Sequence, residues 1–580
     1  MKCILDLREF LKHGFKFRFF LNDAAFNRFD HSIGTGNKKS QLFISLLSTN
    51  IPENALENSS EEELHKYFDS NFEQLKKSIG PIEKVDLIAE EIISYMHDCM
   101  HLPFSHVFES EVIHQVGFHE KLVKKALLED DTIRCIFDSI HPDLASTISK
   151  HINSTQNVFE SFNASSFDLD RFDYILRGYY FKGDTDYDTN FPQFTFGKIK
   201  INDMVKIVPI YNVKDYDKII TLLKQRSTLY TGDLGYLSPE IILADAVFGI
   251  ALNEVLNKSF ESSSRLPESF TKLKNFISLL SSKNSTSSIN ADEIDLDEIL
   301  KWDNVNLINC LLDFAESLDE EKDRKTIELI ALALPPLSSL MYMISYMKSD
   351  NYSNISEKDS EYVKSRKKDD EKLISRLKKY INFNTLLSRF LKTLIKNFKS
   401  YINSNTLLAR FLKSDKYVQK RKNEDTKLIK RLKTYINSNT LLARCLKDKQ
   451  FFSENIAYIK DPDLNAVKQV DKKSTFYKER TFREYNPKEP IYIRLESGEI
   501  CTIDKVPGKE FPLSSETTIF RFLFQIRPLC RDNTFSIQNP IEHKLSSVLP
   551  ITKQYLNLYP KVKQTFPDNT TSDNKDLGIE

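Results

Sequence analysis

Five of the chain's 11 histidines, His97, His101, His106, His114 and His119, fall within 23 positions. His97 is followed at once by Asp98, and His101 comes four residues after His97. On a helix that spacing crowds three polar groups onto one side of an otherwise apolar segment. Burying them without partners is costly, and a metal ion offsets the cost. Imidazole nitrogen together with carboxylate oxygen suits a borderline divalent cation such as Mn, Fe, Zn or Ni. Pro103 is expected to end the helix and let His106 turn back toward the site. An isolated histidine is more often a satisfied core or surface residue than a ligand. His65, His141, His151 and His543 are read that way, and His114 is left unassigned.

The elements that must position these side chains read as helices. Through residues 1–255 apolar positions recur at three and four, as in Val85 to Met96 and Lys218 to Leu229. A mainly α fold is therefore predicted, with an all-helical catalytic core. A length of 580 residues is enough for two to four domains, and 82 basic against 82 acidic side chains nominate no partner by net charge. Hydrophobic residues at 40%, with 41 Phe, exclude wholesale disorder, and 14 Gly exclude collagenous or glycine-rich classes. The seven cysteines form no Cys-x-x-Cys pair, so neither a disulfide framework nor a cysteine zinc site is expected. Asp6, Arg8 and Glu9 interrupt what an export signal would need to be apolar, and a reducing, cytoplasmic setting is expected.

Four segments, in order, resemble the HD-domain metal-dependent phosphohydrolases, in the branch of deoxynucleoside triphosphate triphosphohydrolases that includes bacterial dGTPases and the vertebrate sterile-alpha-motif/HD enzyme. They are NRFDHSIG from Asn27, HDCMHLPFSH from His97, FHE from Phe118 and DLDRFDYILR from Asp168. The likeness covers about residues 5 to 255 and continues weakly into EPIYIRLESGEI. It implies His31, His97, Asp98 and Asp170 as ligands of one divalent metal ion (Mn, Fe, Mg, Zn or Ni). It implies His101, His106 and His119 for acid–base and phosphate contacts, Arg28 as a phosphate clamp, and Arg171, Tyr174 and Tyr230 as substrate contacts. Departures are present. Met100 and Leu102 stand where the family commonly has glycine, which is expected to narrow the site. Lys12-His13-Gly14 replaces a Gln-Leu-Gly turn, and Tyr230-Thr231-Gly232-Asp233 replaces a Tyr-Gln-His-Lys run.

Beyond the core, a helical extension with Ser-rich loops is expected over 256–356, a basic helical segment over 357–450, a small α+β subdomain over 451–565 and a disordered tail over 566–580. Between Glu357 and Asp448 there are 25 Lys/Arg and 10 Asp/Glu, a surplus of 15 positive charges hidden by the neutral total. That segment repeats itself: Tyr362 to Lys392 aligns with Tyr417 to Lys447, a partial copy lies between them, and the shared core reads YINFNTLLSRFLK from Tyr380, YINSNTLLARFLK from Tyr401 and YINSNTLLARCLK from Tyr435. The irregular spacing argues against a solenoid. Leu428, Ile429, Leu432, Tyr435 and Ile436 form one apolar face, and Asn439 or Thr440 is placed to cap a following helix. Ser497-Gly498 is expected to turn a hairpin between Ile491 to Leu495 and Glu499 to Ile503. Ile327 to Met347 holds one charge, but Pro335-Pro336 breaks it, so a membrane span is not expected. Its apolar character also suits a homo-oligomer interface. Three functions fit. The first is hydrolysis of deoxynucleoside triphosphates to deoxynucleoside and triphosphate. The second is hydrolysis of another nucleotide phosphoester. The third is a metal-binding scaffold whose basic repeats, 357–448, bind nucleic acid.

Overall fold

The computed structural model describes residues 28–48, 61–153, 167–181, 191–201, 204–231, 236–257, 266–280, 294–300, 302, 304–334, most of 427–448, 451–463 and 473–532. The first two repeat copies, the tail, residues 12–14 and 232–235, and most of the Ser-rich stretch lie outside the described residues, as does the side chain of Arg28. Among the described residues the protein is mainly helical, with two small sheets.

The chain begins with α1 (Arg28–Ser48), α2 (Glu61–Ile79), α3 (Lys84–Met96), the short α4 (His106–Glu111), α5 (Phe118–Glu129), α6 (Asp131–Ile140), α7 (Leu144–Asn153) and α8 (Leu169–Phe181). A hairpin of β1 (Phe194–Ile201) and β2 (Met204–Asn212) follows. Next come α9 (Tyr216–Thr231), α10 (Pro239–Asn257), α11 (Glu268–Leu280), α12 (Leu296–Leu300), α13 (Asn304–Glu316) and α14 (Arg324–Ala333). The third repeat copy ends in α15 (Leu441–Lys447), followed by α16 (Phe451–Asn455) and the strands β3 (Ile456–Lys460), β4 (Thr475–Phe482), β5 (Tyr492–Arg494), β6 (Ile500–Thr502) and β7 (Thr518–Ile526). One sheet runs β1-β2-β5-β6 and the other β3-β7-β4. The expected hairpin is β5–β6, with Gly498 at φ 88 in its turn, a backbone region that glycine enters without a steric cost. Its first strand lies parallel to β2, so strands from distant parts of the sequence share one sheet.

Two sequence expectations need correction. The core is not all helical, because residues 194–201 and 204–212 form an antiparallel hairpin on which Lys198, Lys200 and Lys206 are exposed. And α3 ends at Met96, so His97 to Met100 form a turn and the His-Asp pair is not on a helical face. Met100 and Leu102 point into the apolar core. Pro103 precedes two non-glycine residues in left-handed backbone, Phe104 (φ 57) and Ser105 (φ 59). Each such residue costs about 1–3 kcal/mol and persists only where surrounding contacts fix it. Here the Phe104 amide donates to Asn304 Oδ1 at 2.7 Å and the Ser105 amide to the Leu102 carbonyl at 2.8 Å.

Two features draw α1 against α3. Gly36 lies so close to Tyr95 that an added Cβ would sit 2.2 Å from the ring. Beside it is a buried ion network: Lys39 Nζ donates to Glu90 (3.1 Å), while His151 on α7 donates from Nδ1 to Glu90 and from Nε2 to Asp86, both at 2.7 Å. The network links α1, α3 and α7 and carries two cations against two carboxylates, the pairing that burial of charge demands.

The third repeat copy packs on α13 and α14. Leu428, Leu432, Leu441, Leu442 and Leu446 are buried. Arg431 reaches Asp313 and Glu316, each at 2.8 Å, and Thr440 caps α15 by accepting from the Ala443 amide at 3.3 Å. The described part of Ile327 to Met347 ends in α14, and no helix among the described residues is long and apolar enough to cross a membrane.

Burial alone would lower the proton affinity of His151, but its bonds to Asp86 and Glu90 raise its pKa from 6.5 to about 9. The folded state therefore holds this proton more tightly than the unfolded chain. Its stabilisation is complete below about pH 6.5 and is lost as pH rises through about 9. Thermal unfolding midpoints are expected to fall across that window, and His151→Gln is expected to lower the acid-side midpoint and flatten the fall; an unchanged profile would contradict it. Leu432→Ala is expected to cost about 2–5 kcal/mol in denaturant unfolding, and a cost near zero would show that the third copy's packing is dispensable.

Candidate metal centre

The turn after α3, the middle of the first turn of α8 and the start of α1 meet at one point. His31, on α1, is fully buried. Its Nδ1 donates to Asp173 at 2.9 Å, which leaves Nε2 directed at Asp170 Oδ1 (2.6 Å) and Asp98 Oδ2 (3.5 Å). His97 is arranged the same way. Its Nδ1 donates to the Ser94 carbonyl at 2.8 Å, and its Nε2 lies 3.6 Å from both Asp98 Oδ2 and Asp170 Oδ1. That Nε2 is buried with no hydrogen-bond partner. Two imidazoles, each backed at Nδ1 by an acceptor that sets the tautomer, thus turn their Nε2 atoms toward the same two carboxylates. This is the geometry of histidine ligands with outer acceptors.

The donor set fits a divalent cation. His31, His97 and Asp170 offer ligand atoms within 4.8 Å of one another, with Asp98 Oδ2 beside them. Without a metal, protons supply the positive charge. Burial works against a proton on His97, but Asp98 and Asp170 outweigh it and raise its pKa to about 9. Burial likewise opposes ionisation of Asp170, yet the two histidines hold it well below the usual carboxylate range. The Asp170 side chain is 35% exposed and that of His97 24%, so this side of the cluster faces outward.

Asp98 also has a second role. Its Oδ1 accepts from His101 Nε2 at 3.1 Å and lies 3.9 Å from His119 Nε2. His101 and His119 stack with ring centroids 3.7 Å apart. Behind them sits Glu109, fully buried, which the sequence reading missed. It accepts from His119 Nδ1 (2.7 Å), His106 Nδ1 (3.3 Å) and the amides of Gly117 (3.3 Å) and His119 (2.8 Å). Burial would raise its pKa, but His106 and His119 hold it far below the ordinary value. Its spacing of three after His106 on a helix was the available signal. Asp173, three residues after Asp170 on α8, was missed as well. His101, His106, Glu109 and His119 could themselves hold a metal by residue type. Glu109, however, already accepts from two backbone amides and two imidazoles, which fits a hydrogen-bond hub better than an anchor for a cation.

The residues expected to contact substrate, Arg171, Tyr174 and Tyr230, lie on α8 and α9. Arg171 Nε is 3.7 Å from Asp168, whose other oxygen caps α8 by accepting the Arg171 amide at 2.7 Å. Tyr174 is buried; burial first and the neighbouring Tyr230 second push its hydroxyl pKa well above the usual value, so it stays a neutral phenol. Tyr230 stacks on Phe482 of β4, centroids 4.9 Å apart, and Arg226 lies 5.2 Å from the Tyr230 ring centroid and 5.0 Å from that of Phe482. Arg226 was not singled out in the sequence. His114 is exposed and donates to the Ser110 carbonyl at 3.1 Å, outside both histidine groups.

No family model matches the chain. An uncharacterized protein of Mycoplasma pneumoniae, the MG461 homolog, is 27% identical over 161 residues, which is 25% of this chain and 36% of that protein. The match thus spans about a third of that relative's length. Among solved structures, the chain is similar to the crystal structure of a phosphohydrolase from Bacteroides thetaiotaomicron, at 12% identity and a TM-score of 0.44, covering 90% of this chain and 94% of that one.

A cation entering this cluster must displace the His97 proton. Divalent-metal affinity, read by titration calorimetry, is therefore expected to rise with pH and level off above about pH 9; an affinity indifferent to pH below that point would place the ion elsewhere.

Proposed function

We propose that the chain is a metal-dependent phosphohydrolase of the HD type that acts on nucleotide phosphoesters, deoxynucleoside triphosphates foremost, releasing deoxynucleoside and triphosphate. The observation that carries this reading is the convergence of His31, His97, Asp98 and Asp170, with the buried His97 Nε2 directed at the two carboxylates. A divalent ion bound there would supply Lewis-acid polarisation of a phosphoryl oxygen and a water of lowered pKa. The chain's own residues account for the remaining chemistry. His101 and His119 lie between Asp98 on one side and Glu109 on the other, so either ring, when protonated, can give a proton to a departing oxygen and take one back from water. His106, with its side chain 44% exposed, reaches outward from the same hub and suits contact with a phosphate oxygen. Arg171 brings a guanidinium and Tyr174 a neutral hydroxyl to the side of Asp170, suiting a polyanionic substrate.

The choice of a triphosphate within the nucleotide phosphoesters rests on the motif resemblance. The third repeat copy is read as a packing element, because its Arg431 pairs with Asp313 and Glu316.

The test is the purified chain with Mn, Mg, Fe, Zn or Ni against a panel of nucleotides, with products identified. His97→Ala and Asp98→Ala are expected to lose bound metal and activity together, whereas His119→Ala is expected to keep its metal and lose about a hundredfold or more in rate. Stoichiometric metal retained in both ligand variants, or a metal-loaded wild type inert on every phosphoester, would overturn the reading.

A further inference from the structure

The C-terminal strand β4 reaches the histidine hub by alternation. Residues two apart on a strand face one side, and Lys478, Arg480 and Phe482 all turn toward the helical core. Lys478 and Arg480 each bond one oxygen of Glu111, and Phe482 stacks on Tyr230. Glu111 is the last residue of α4, the helix that opens with His106 and carries Glu109. It is 5% exposed, and α4 has only six residues, too few to be stable alone. Its entry is the left-handed pair Phe104 and Ser105. At its exit, Gly249 of α10 lies so close that an added Cβ would sit 2.4 Å from the Glu111 carbonyl oxygen. Packing at the exit thus leaves α4 no slack, and the two cations of β4 hold its terminal carboxylate.

We propose that Glu111 is a positioning residue, and that its double ion pair with Lys478 and Arg480 makes β4 the clamp that sets His106 and Glu109 opposite Asp98. The clamp joins residues more than 360 positions apart, so the C-terminal sheet is a working part of the site. The effect on rate rests on the reading of His101 and His119 as acid–base groups and His106 as a phosphate contact; the clamp itself does not.

The experiment uses the full chain in four forms: wild type, Lys478→Gln/Arg480→Gln, Lys478→Glu/Arg480→Glu, and the latter pair combined with Glu111→Lys. Two readouts are taken, hydrogen exchange over residues 106–117 and steady-state kinetics, with metal content measured alongside. Both double variants are expected to lose protection selectively over 106–117 and to keep their metal. Their kcat is expected to drop about 10- to 100-fold with KM little changed, the usual cost of losing an outer partner, and adding Glu111→Lys is expected to restore part of both. Unchanged exchange over 106–117 in folded Lys478→Gln/Arg480→Gln protein would overturn the clamp, as would exchange lost evenly across the whole chain. If wild type hydrolyses nothing, the proposed function fails while the exchange readout still decides the clamp.

Discussion

A single buried carboxylate organises this molecule. Asp98 turns Oδ2 toward His31 and His97 and Oδ1 toward His101 and His119. A carboxylate 5% exposed is tolerable only if each oxygen meets positive charge or a donor. Four imidazoles from three separate stretches of chain satisfy that demand. Because one oxygen serves each pair, any shift that moves Asp98 toward one half costs the other, and both halves are held at a fixed separation. The acceptors behind the rings, Asp173, the Ser94 carbonyl and Glu109, extend the same logic outward by setting which nitrogen carries the proton.

The rest of the fold serves that separation. Gly36 permits the close approach of α1 to α3, and the network of Lys39, Glu90, His151 and Asp86 makes the approach favourable by neutralising its own buried charge. The left-handed turn at Phe104 and Ser105 reverses the chain after His101 so that His106 and Glu109 face back. The third repeat copy closes α13 and α14 with leucines, and α13 in turn supplies Asn304, whose side chain fixes the strained Phe104 amide. A contact made by a segment that looks like a surface insertion is thus two steps removed from the site.

Some of this was legible in the sequence and some was not, for physical reasons. The histidine density and the His97-Asp98 pair stood out because polar side chains in apolar surroundings need partners. The α3 and α9 periodicity, the Ser497-Gly498 turn and the capping position of Thr440 follow from local chemistry, and the structure contains each. Glu109, Asp173 and Arg226 did not stand out, because an acid or an arginine on an amphipathic helix looks like a solvated residue until its partner is known. His151 was read as an ordinary histidine; it is no part of the metal cluster, yet it is a buried link between three helices. The β1–β2 hairpin was lost among strongly helical neighbours. The helix before the His-Asp pair looks longer in sequence than it is, because Met100 and Leu102 continue the apolar pattern past its end at Met96. The pairing of Glu111 with Lys478 and Arg480 has no local signal at all.

The most direct test is a crystal structure of the metal-loaded chain with anomalous scattering recorded at the metal edge. One peak is expected about 2.0–2.2 Å from the Nε2 atoms of His31 and His97, with oxygens of Asp98 and Asp170 completing the protein ligands. A fully loaded protein whose peak lies instead among His101, His106, Glu109 and His119, or away from all of these residues, would contradict it.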